Sequence, residues 1–170
     1  ALKEQGKMYN IHKKFENHLA TVATEFLENL EKYNEILSIY HTDADGVGSA
    51  AVIEEMLKKL RVPYKQIPNT LEKSWEEFME SIEKTITGSS AIIFSDLCPP
   101  VSVLNKFLAN NSDVEVYILD HHLMRFSSGE KLHENAYNCN PTQFGLDGLK
   151  EIVGATLNYL FAKEVEESNE

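Results

Sequence analysis

Apolar residues recur at steps of three and four through Met8, Ile11, Phe15, Leu19, Val22, Phe26, Leu30 and Tyr33. That spacing predicts one amphipathic helix from Met8 to Tyr33. The rhythm then changes. Ile36-Leu37-Ser38-Ile39-Tyr40 is a short apolar run, expected as a buried strand, and it stops at HTDADGVGS, read as a polar, Gly-rich turn. Helical spacing resumes from Ser49 to Leu60, and Val62 to Ile67 reads as a second strand. Ser74-Trp75-Glu76-Glu77 has the form of a capping box that opens a helix to about Ile86. Ala91 to Phe94 is a third strand, Pro99-Pro100 opens the next helix, and Val114 to Leu119 is a fourth strand. Ala136 to Cys139 is a candidate fifth strand. Lys150 to Val165 is a last helix before the solvated EVEESNE. Strands alternating with helices predict βαβ units. The expected fold is therefore α/β: a mostly parallel central sheet, helices on both faces, and a long N-terminal helix as one more covering element.

Length and charge narrow this picture. The chain has 170 residues, 42% hydrophobic and 25% charged, which suits one globular domain or a piece of something larger. It begins with Ala1, so either Met has been removed or numbering starts inside a longer protein. No apolar run approaches the ~18 residues that cross a bilayer, and the first residues carry no signal-like apolar stretch, so no membrane partner is expected. Lys plus Arg number 16 against 27 Asp plus Glu, a net charge of −11. Taken alone, that balance counts against a simple basic nucleic-acid groove, although bound divalent cations would reverse the local sign. Two cysteines, Cys98 and Cys139, make no disulfide framework and point to a reducing, cytoplasmic setting.

The aspartates carry the chemistry. There are only six: Asp43, Asp45, Asp96, Asp113, Asp120 and Asp147. Asp43 and Asp45 follow the first expected strand, Asp96 the third and Asp120 the fourth. In an open parallel sheet the carboxyl ends of the strands line one crevice, where ligands bind. Three distant segments thus bring four carboxylates to one place. Carboxylates packed together raise one another's pKa, and a divalent cation relieves the conflict. His41 lies two residues before Asp43, and His121 and His122 follow Asp120. Such donors suit Mn²⁺, Mg²⁺ or Zn²⁺, and their number fits two metals better than one. Any single Asp after a strand is as readily a helix N-cap. All three segments together, two of them with His, favour a site. His12, His18 and His133 read as surface or partly packed residues, and Cys98 with Cys139 is a weak zinc pair.

These residues form a recognisable pattern. His41-Thr42-Asp43-Ala44-Asp45-Gly46-Val47-Gly48-Ser49-Ala50 resembles the first motif of the DHH phosphoesterase superfamily. Ser95-Asp96-Leu97 is similar to the second motif and Leu119-Asp120-His121-His122 to the third. Asn140-Pro141, then Phe144-Gly145-Leu146-Asp147-Gly148 and a helix with Gly154-Ala155, resembles the archaeal RecJ-like branch. The ordered set runs from about Ser38 to Ala162. On this resemblance, residues 1–34 form an N-terminal amphipathic helix and residues 35–170 a DHH domain, incomplete at its C-terminus. The resemblance implies a dinuclear site, usually two Mn²⁺, with Mg²⁺ as the substitute. One metal would take His41, Asp43 and Asp96, and the other Asp45, Asp96 and His121, with Asp96 bridging. His122 would contact the scissile phosphate and Asp120 would hold the histidines. The implied activity is hydrolysis of single-stranded DNA or RNA from the 5′ end, in replication or repair. The implied partners are single-stranded nucleic acid and the GINS complex.

The chain departs from the family in two places. Cys98, followed by Pro99-Pro100, stands where many members have Gly, and the family's fourth motif, with its later metal-binding Asp, is not found up to Glu170. Asp147 is a candidate substitute, but Asp-Gly is more simply a turn. Two other functions compete. One is a catalytically weak or inactive RecJ-like scaffold in a replication complex, which the intact motifs argue against. The other is a small-substrate phosphoesterase or oligoribonuclease. Those relatives usually place a His four residues before the first motif's Asp, where this chain has Ile39.

Overall fold

The computed structural model describes residues 2–148 and 150–169. A 28-residue helix, α1 (Leu2–Asn29), and a 3₁₀ turn at Leu30–Lys32 lead into the sheet. Then come β1 (Glu35–His41), α2 (Ala44–Leu60), β2 (Tyr64–Asn69), α3 (Trp75–Glu83), β3 (Ser90–Ser95), α4 (Val101–Asn110), β4 (Val114–Leu119), β5 (Ala136–Asn138) and, after a 3₁₀ turn at Pro141–Phe144, α5 (Gly154–Ser168). The five strands are all parallel, in the order β2-β1-β3-β4-β5. The expected α/β architecture is present.

Alternation along the strands divides the core in two. Ile36, Ala91, Ile93, Tyr117 and Leu119 face α1, α2 and α5, where Phe15, Phe26, Ile53, Leu157 and Phe161 complete one cluster. Leu37, Ile39, Ile92, Phe94, Val116 and Ile118 face α3 and α4, packing on Phe78, Ile82, Leu104 and Leu108. Strands covered on both faces must be apolar throughout, as β3 is from Ala91 to Phe94. The expected capping box is present too: Glu77 N–H donates to Ser74 Oγ at 3.2 Å and Ser74 N–H to Glu77 Oε2 at 3.2 Å.

Connectivity sets the position of the crevice. From β1 the chain passes through α2 to β2 on one side. It then returns through α3 to β3 on the other side of β1. The switch point falls between β1 and β3, and ligands bind outside the carboxyl ends of such strands.

Three helix starts differ from the sequence reading. Helix α1 begins at Leu2 rather than Met8, six residues ahead of the apolar rhythm. Helix α2 begins at Ala44 rather than Ser49, so most of the expected turn is helix. The reason is a cap: Asp43 Oδ1 accepts the Gly46 N–H at 2.8 Å. Gly46 is needed for close approach, since a Cβ there would lie 2.1 Å from the His41 carbonyl oxygen. Helix α5 begins at Gly154 rather than Lys150, where a carboxylate from α2 meets its first N–H groups.

Candidate metal centre

Each strand end delivers its acids by a different local device. After β1, Asp43 is the N-cap of α2 and Asp45 lies in its first turn. After β3, Asp96 adopts a left-handed backbone with φ of 62°, which Asp tolerates better than most residues. Its N–H bonds the Leu119 carbonyl at 3.1 Å, holding the ends of β3 and β4 together. Beneath them, Asn158 of α5 accepts from Ser95 Oγ at 2.8 Å and donates to the carbonyls of Leu119 (3.3 Å) and Gly154 (2.9 Å). After β4, Asp120 Oδ1 accepts the N–H of His121 at 3.0 Å and of His122 at 3.4 Å, and His122 Nδ1 lies 2.7 Å away.

Two groups of potential metal donors result, and they share one residue. His41, Asp43 and Asp96 place ligand atoms within 4.8 Å of one another, and so do Asp96, His121 and His122. His41 Nδ1 lies 2.9 Å from Asp43 Oδ2. His121 Nε2 lies 2.9 Å from Asp96 Oδ1 and 3.6 Å from Asp45 Oδ2. Asp45 sits beside both groups, its two oxygens accepting the N–H groups of Gly154 (2.9 Å) and Ala155 (2.7 Å) at the start of α5. A helix N-terminus is a natural seat for an anion. Asp120 faces the backbone and ring of the histidines rather than either group. Asp147 lies outside both groups and pairs with Lys150 at 3.7 Å. His18 bonds the Asn138 carbonyl at 2.7 Å, and His12 lies 3.6 Å from Glu151; neither belongs to a donor group.

The donor set fits a cation on chemical grounds. His121 Nδ1 is 2.5 Å from the Gly148 carbonyl, which can only accept, so in the neutral ring Nδ1 carries the hydrogen. Nε2 then turns its lone pair toward a carboxylate oxygen 2.9 Å away. Such a contact needs a proton or a metal ion between the two atoms. Asp96 shows the same demand. Burial first, then the Asp45 and Asp43 carboxylates, push its carboxyl up to about 6, against the pull of His121 and His122. Asp43 moves the other way, lowered chiefly by the Gly46 N–H. His122 is raised, chiefly by its bond to Asp120. Carbonyl and carboxylate partners behind metal-binding imidazoles are the usual means of orienting them.

No protein-family model matches the chain. The uncharacterized protein MJ0831 of Methanocaldococcus jannaschii is 28% identical over 136 residues, which is 79% of this chain and 30% of that protein. The crystal structure of RecJ in complex with Mn²⁺ from Thermus thermophilus superposes with a TM-score of 0.65 at 21% identity, covering 89% of this chain and 21% of that one. CDC45 from Entamoeba histolytica superposes with a TM-score of 0.65 at 17% identity, covering 87% of this chain and 30% of that one. The chain has the fold of a RecJ-like DHH domain. It spans less than a third of each of these three proteins.

Within this site, sequence reasoning missed several supporting groups. The Gly148 carbonyl that orients His121, the Gly154 and Ala155 N–H groups on Asp45, and Asn158 under the strand ends were not foreseen as contacts. Gly148 and Gly154 carried a signal, because both are glycines at places of close approach. A Cβ on Gly148 would meet the His121 carbonyl oxygen at 2.1 Å, and one on Gly154 would meet Asp96 Oδ1 at 2.6 Å.

Proposed function

We propose that this chain is the metal-binding part of a RecJ-like phosphoesterase that hydrolyses phosphodiester bonds of single-stranded DNA or RNA from the 5′ end, in replication or repair. The observation that carries the proposal is the pair of donor groups sharing Asp96 at the switch point of the sheet. The residues that would hold two Mn²⁺, or Mg²⁺ in their place, are His41, Asp43, Asp45, Asp96 and His121. When bound, two such ions supply Lewis-acid polarisation of the phosphoryl oxygen and a water acidic enough to attack at neutral pH.

The chain's own residues supply the rest. Asp120 fixes the ring of His122 through Nδ1, leaving Nε2 to meet a phosphate oxygen. The raised pKa of His122 favours an imidazolium, a donor with positive charge where phosphate charge accumulates. The α5 N-terminus holds Asp45 in place, and the Gly148 carbonyl holds His121 in the tautomer that presents Nε2 inward. The net charge of −11 favours a second reading, a scaffold of a GINS or helicase complex without catalysis, but such a scaffold has no use for the full donor set.

The test is Mn²⁺-dependent degradation of a 5′-labelled single strand. Asp45→Ala and His121→Ala are expected to abolish it while circular dichroism stays unchanged. Wild-type rates in both folded variants would overturn the dinuclear reading.

A further inference from the structure

Beside the donor groups the crevice opens into two adjoining cavities of about 290 and 270 Å³. Both are lined by Trp75, Cys98, Asp120 and His122. Leu71 belongs to one and Arg125 to the other. Each lies near the small end of the ~300–1,000 Å³ range of ligand clefts. That is room for single residues of a polymer rather than for a duplex.

Resting on the phosphoesterase reading, we infer that Trp75 is the platform on which a nucleobase next to the scissile phosphate stacks, with Arg125 meeting a neighbouring phosphate. Trp75 is the first residue of α3, directly after the Ser74 cap. Its ring meets Phe78 edge-on at 5.9 Å and 85°, and Phe94 at 6.3 Å and 76°. Those contacts hold the indole in one orientation, so little freedom remains to be lost when a base arrives. Core packing accounts for these edges. It does not account for the part of the ring that lines both cavities next to His122. A large, partly exposed aromatic ring suits a ligand that offers a π-face.

The surroundings agree. Leu71, 49% exposed, is held at φ of 59° by its N–H bond to Asn69 Oδ1 at 2.8 Å, and adds an apolar wall at the mouth. Arg125 is one of two arginines in the chain and, among the described residues, the only Lys or Arg lining either cavity. It makes no ion pair among the described residues. In a chain of net charge −11, one unpaired guanidinium beside a carboxylate-rich centre is a specific place for a phosphate. Stacking tolerates any base, so this slot selects single-stranded nucleotides without reading sequence.

Trp75 is the chain's single tryptophan, so intrinsic fluorescence reports it alone. The experiment titrates the 170-residue chain in Mg²⁺ with thymidine 5′-monophosphate, and separately with ribose 5-phosphate. Saturable quenching by the nucleotide, and none by the sugar phosphate, is expected. Calorimetry of W75A should show the dissociation constant for the nucleotide rising roughly 5- to 150-fold, and W75F should retain most of the affinity. R125A should weaken the nucleotide but not thymidine. Unchanged emission on binding, absence of nucleotide binding, or wild-type affinity in W75A overturns the inference. If W75A does not fold, quenching of the wild-type chain and the affinity of W75F decide it. Single-strand hydrolysis without quenching sinks the stacking slot alone. Quenching of the 170-residue chain, with no single-strand hydrolysis under any divalent metal by a longer protein carrying the later metal-binding Asp, sinks the phosphoesterase reading and leaves the slot.

Discussion

A methyl group at Gly154 is the sharpest small perturbation of the proposed centre. Gly154 is the first residue of α5, and its N–H donates to Asp45 Oδ2 at 2.9 Å. An added Cβ would stand 2.6 Å from Asp96 Oδ1 and 2.8 Å from Asp45 Oδ2. An unstrained carbon–oxygen contact needs roughly 3.3 Å, so the Asp96 carboxylate must retreat by about 0.7 Å. Metal–ligand distances tolerate about 0.2 Å. The Asp96 side chain is short, 2% exposed and bonded to His121 at 2.9 Å, so it has little room to yield. The overpacking should cost about 1–3 kcal/mol of stability and weaken Mn²⁺ binding at least tenfold, by analogy with the ~10–100-fold cost of disturbing a residue that orients a ligand. Gly48→Ala is the control. Its Cβ would lie 3.6 Å from the Ala155 Cβ, an ordinary contact, and Ala in place of Gly inside α2 should add roughly 0.5–1 kcal/mol. The assay is the melting temperature of each variant with and without millimolar Mn²⁺. Gly154→Ala should lose most of the Mn²⁺-induced rise, and Gly48→Ala should keep it. A full rise in Gly154→Ala would refute the placement of Asp96 and Asp45 at the metals.

The remaining expectations concern protons, metal and activity. Asp96 binds its proton more tightly in the native chain than in the unfolded one, so its contribution to metal-free stability is full below an ordinary Asp pKa of about 3.9 and is lost as pH climbs through about 6. Asp43, lowered, gives stability above the ordinary value and loses it only as pH falls through its own pKa. Melting curves in EDTA from about pH 4.5 to 6.5 should therefore slope downward in the wild type and less so in Asp96→Asn; identical slopes contradict this. His122, raised by Asp120, contributes stability below about 6.5 that fades as pH rises through its higher native pKa, a loss Asp120→Asn should remove. Excess Mn²⁺ should raise the wild-type melting temperature, because a ligand of the native state alone must do so, and no rise at millimolar Mn²⁺ would mean no useful affinity. The 170-residue chain should also be a weaker nuclease than a longer protein carrying a later metal-binding Asp, and equal turnover on one single-stranded substrate would point to Asp147.

Strands and their order along the chain were legible because parallel strands buried on both faces must be apolar runs, and Ile36–Tyr40, Ala91–Phe94 and Val114–Leu119 are such runs. The crevice was legible for a related reason: few Asp exist, and four of them follow strands. Helix starts were less visible. The cap and opening residues of α2, Asp43 to Gly48, hold two aspartates and two glycines, which read as a loop until Asp43 is seen capping the helix. The start of α5 depends on Asp45, 109 residues away, and no local pattern encodes that. Nor does spacing reveal that Asp45 spends both oxygens on a helix terminus while His122 enters a donor group. The role of Trp75 was hidden because, as a residue inside a capping box, it reads simply as the start of an amphipathic helix.

Calorimetric titration of the chain with Mn²⁺ at about pH 7.5 tests the central claim most directly, in the wild type and in Asp96→Asn. Two ions per chain in the wild type, with loss of both high-affinity events in Asp96→Asn, is the result that a shared Asp96 requires. One ion or none in the wild type, or two ions still bound tightly by Asp96→Asn, would contradict it.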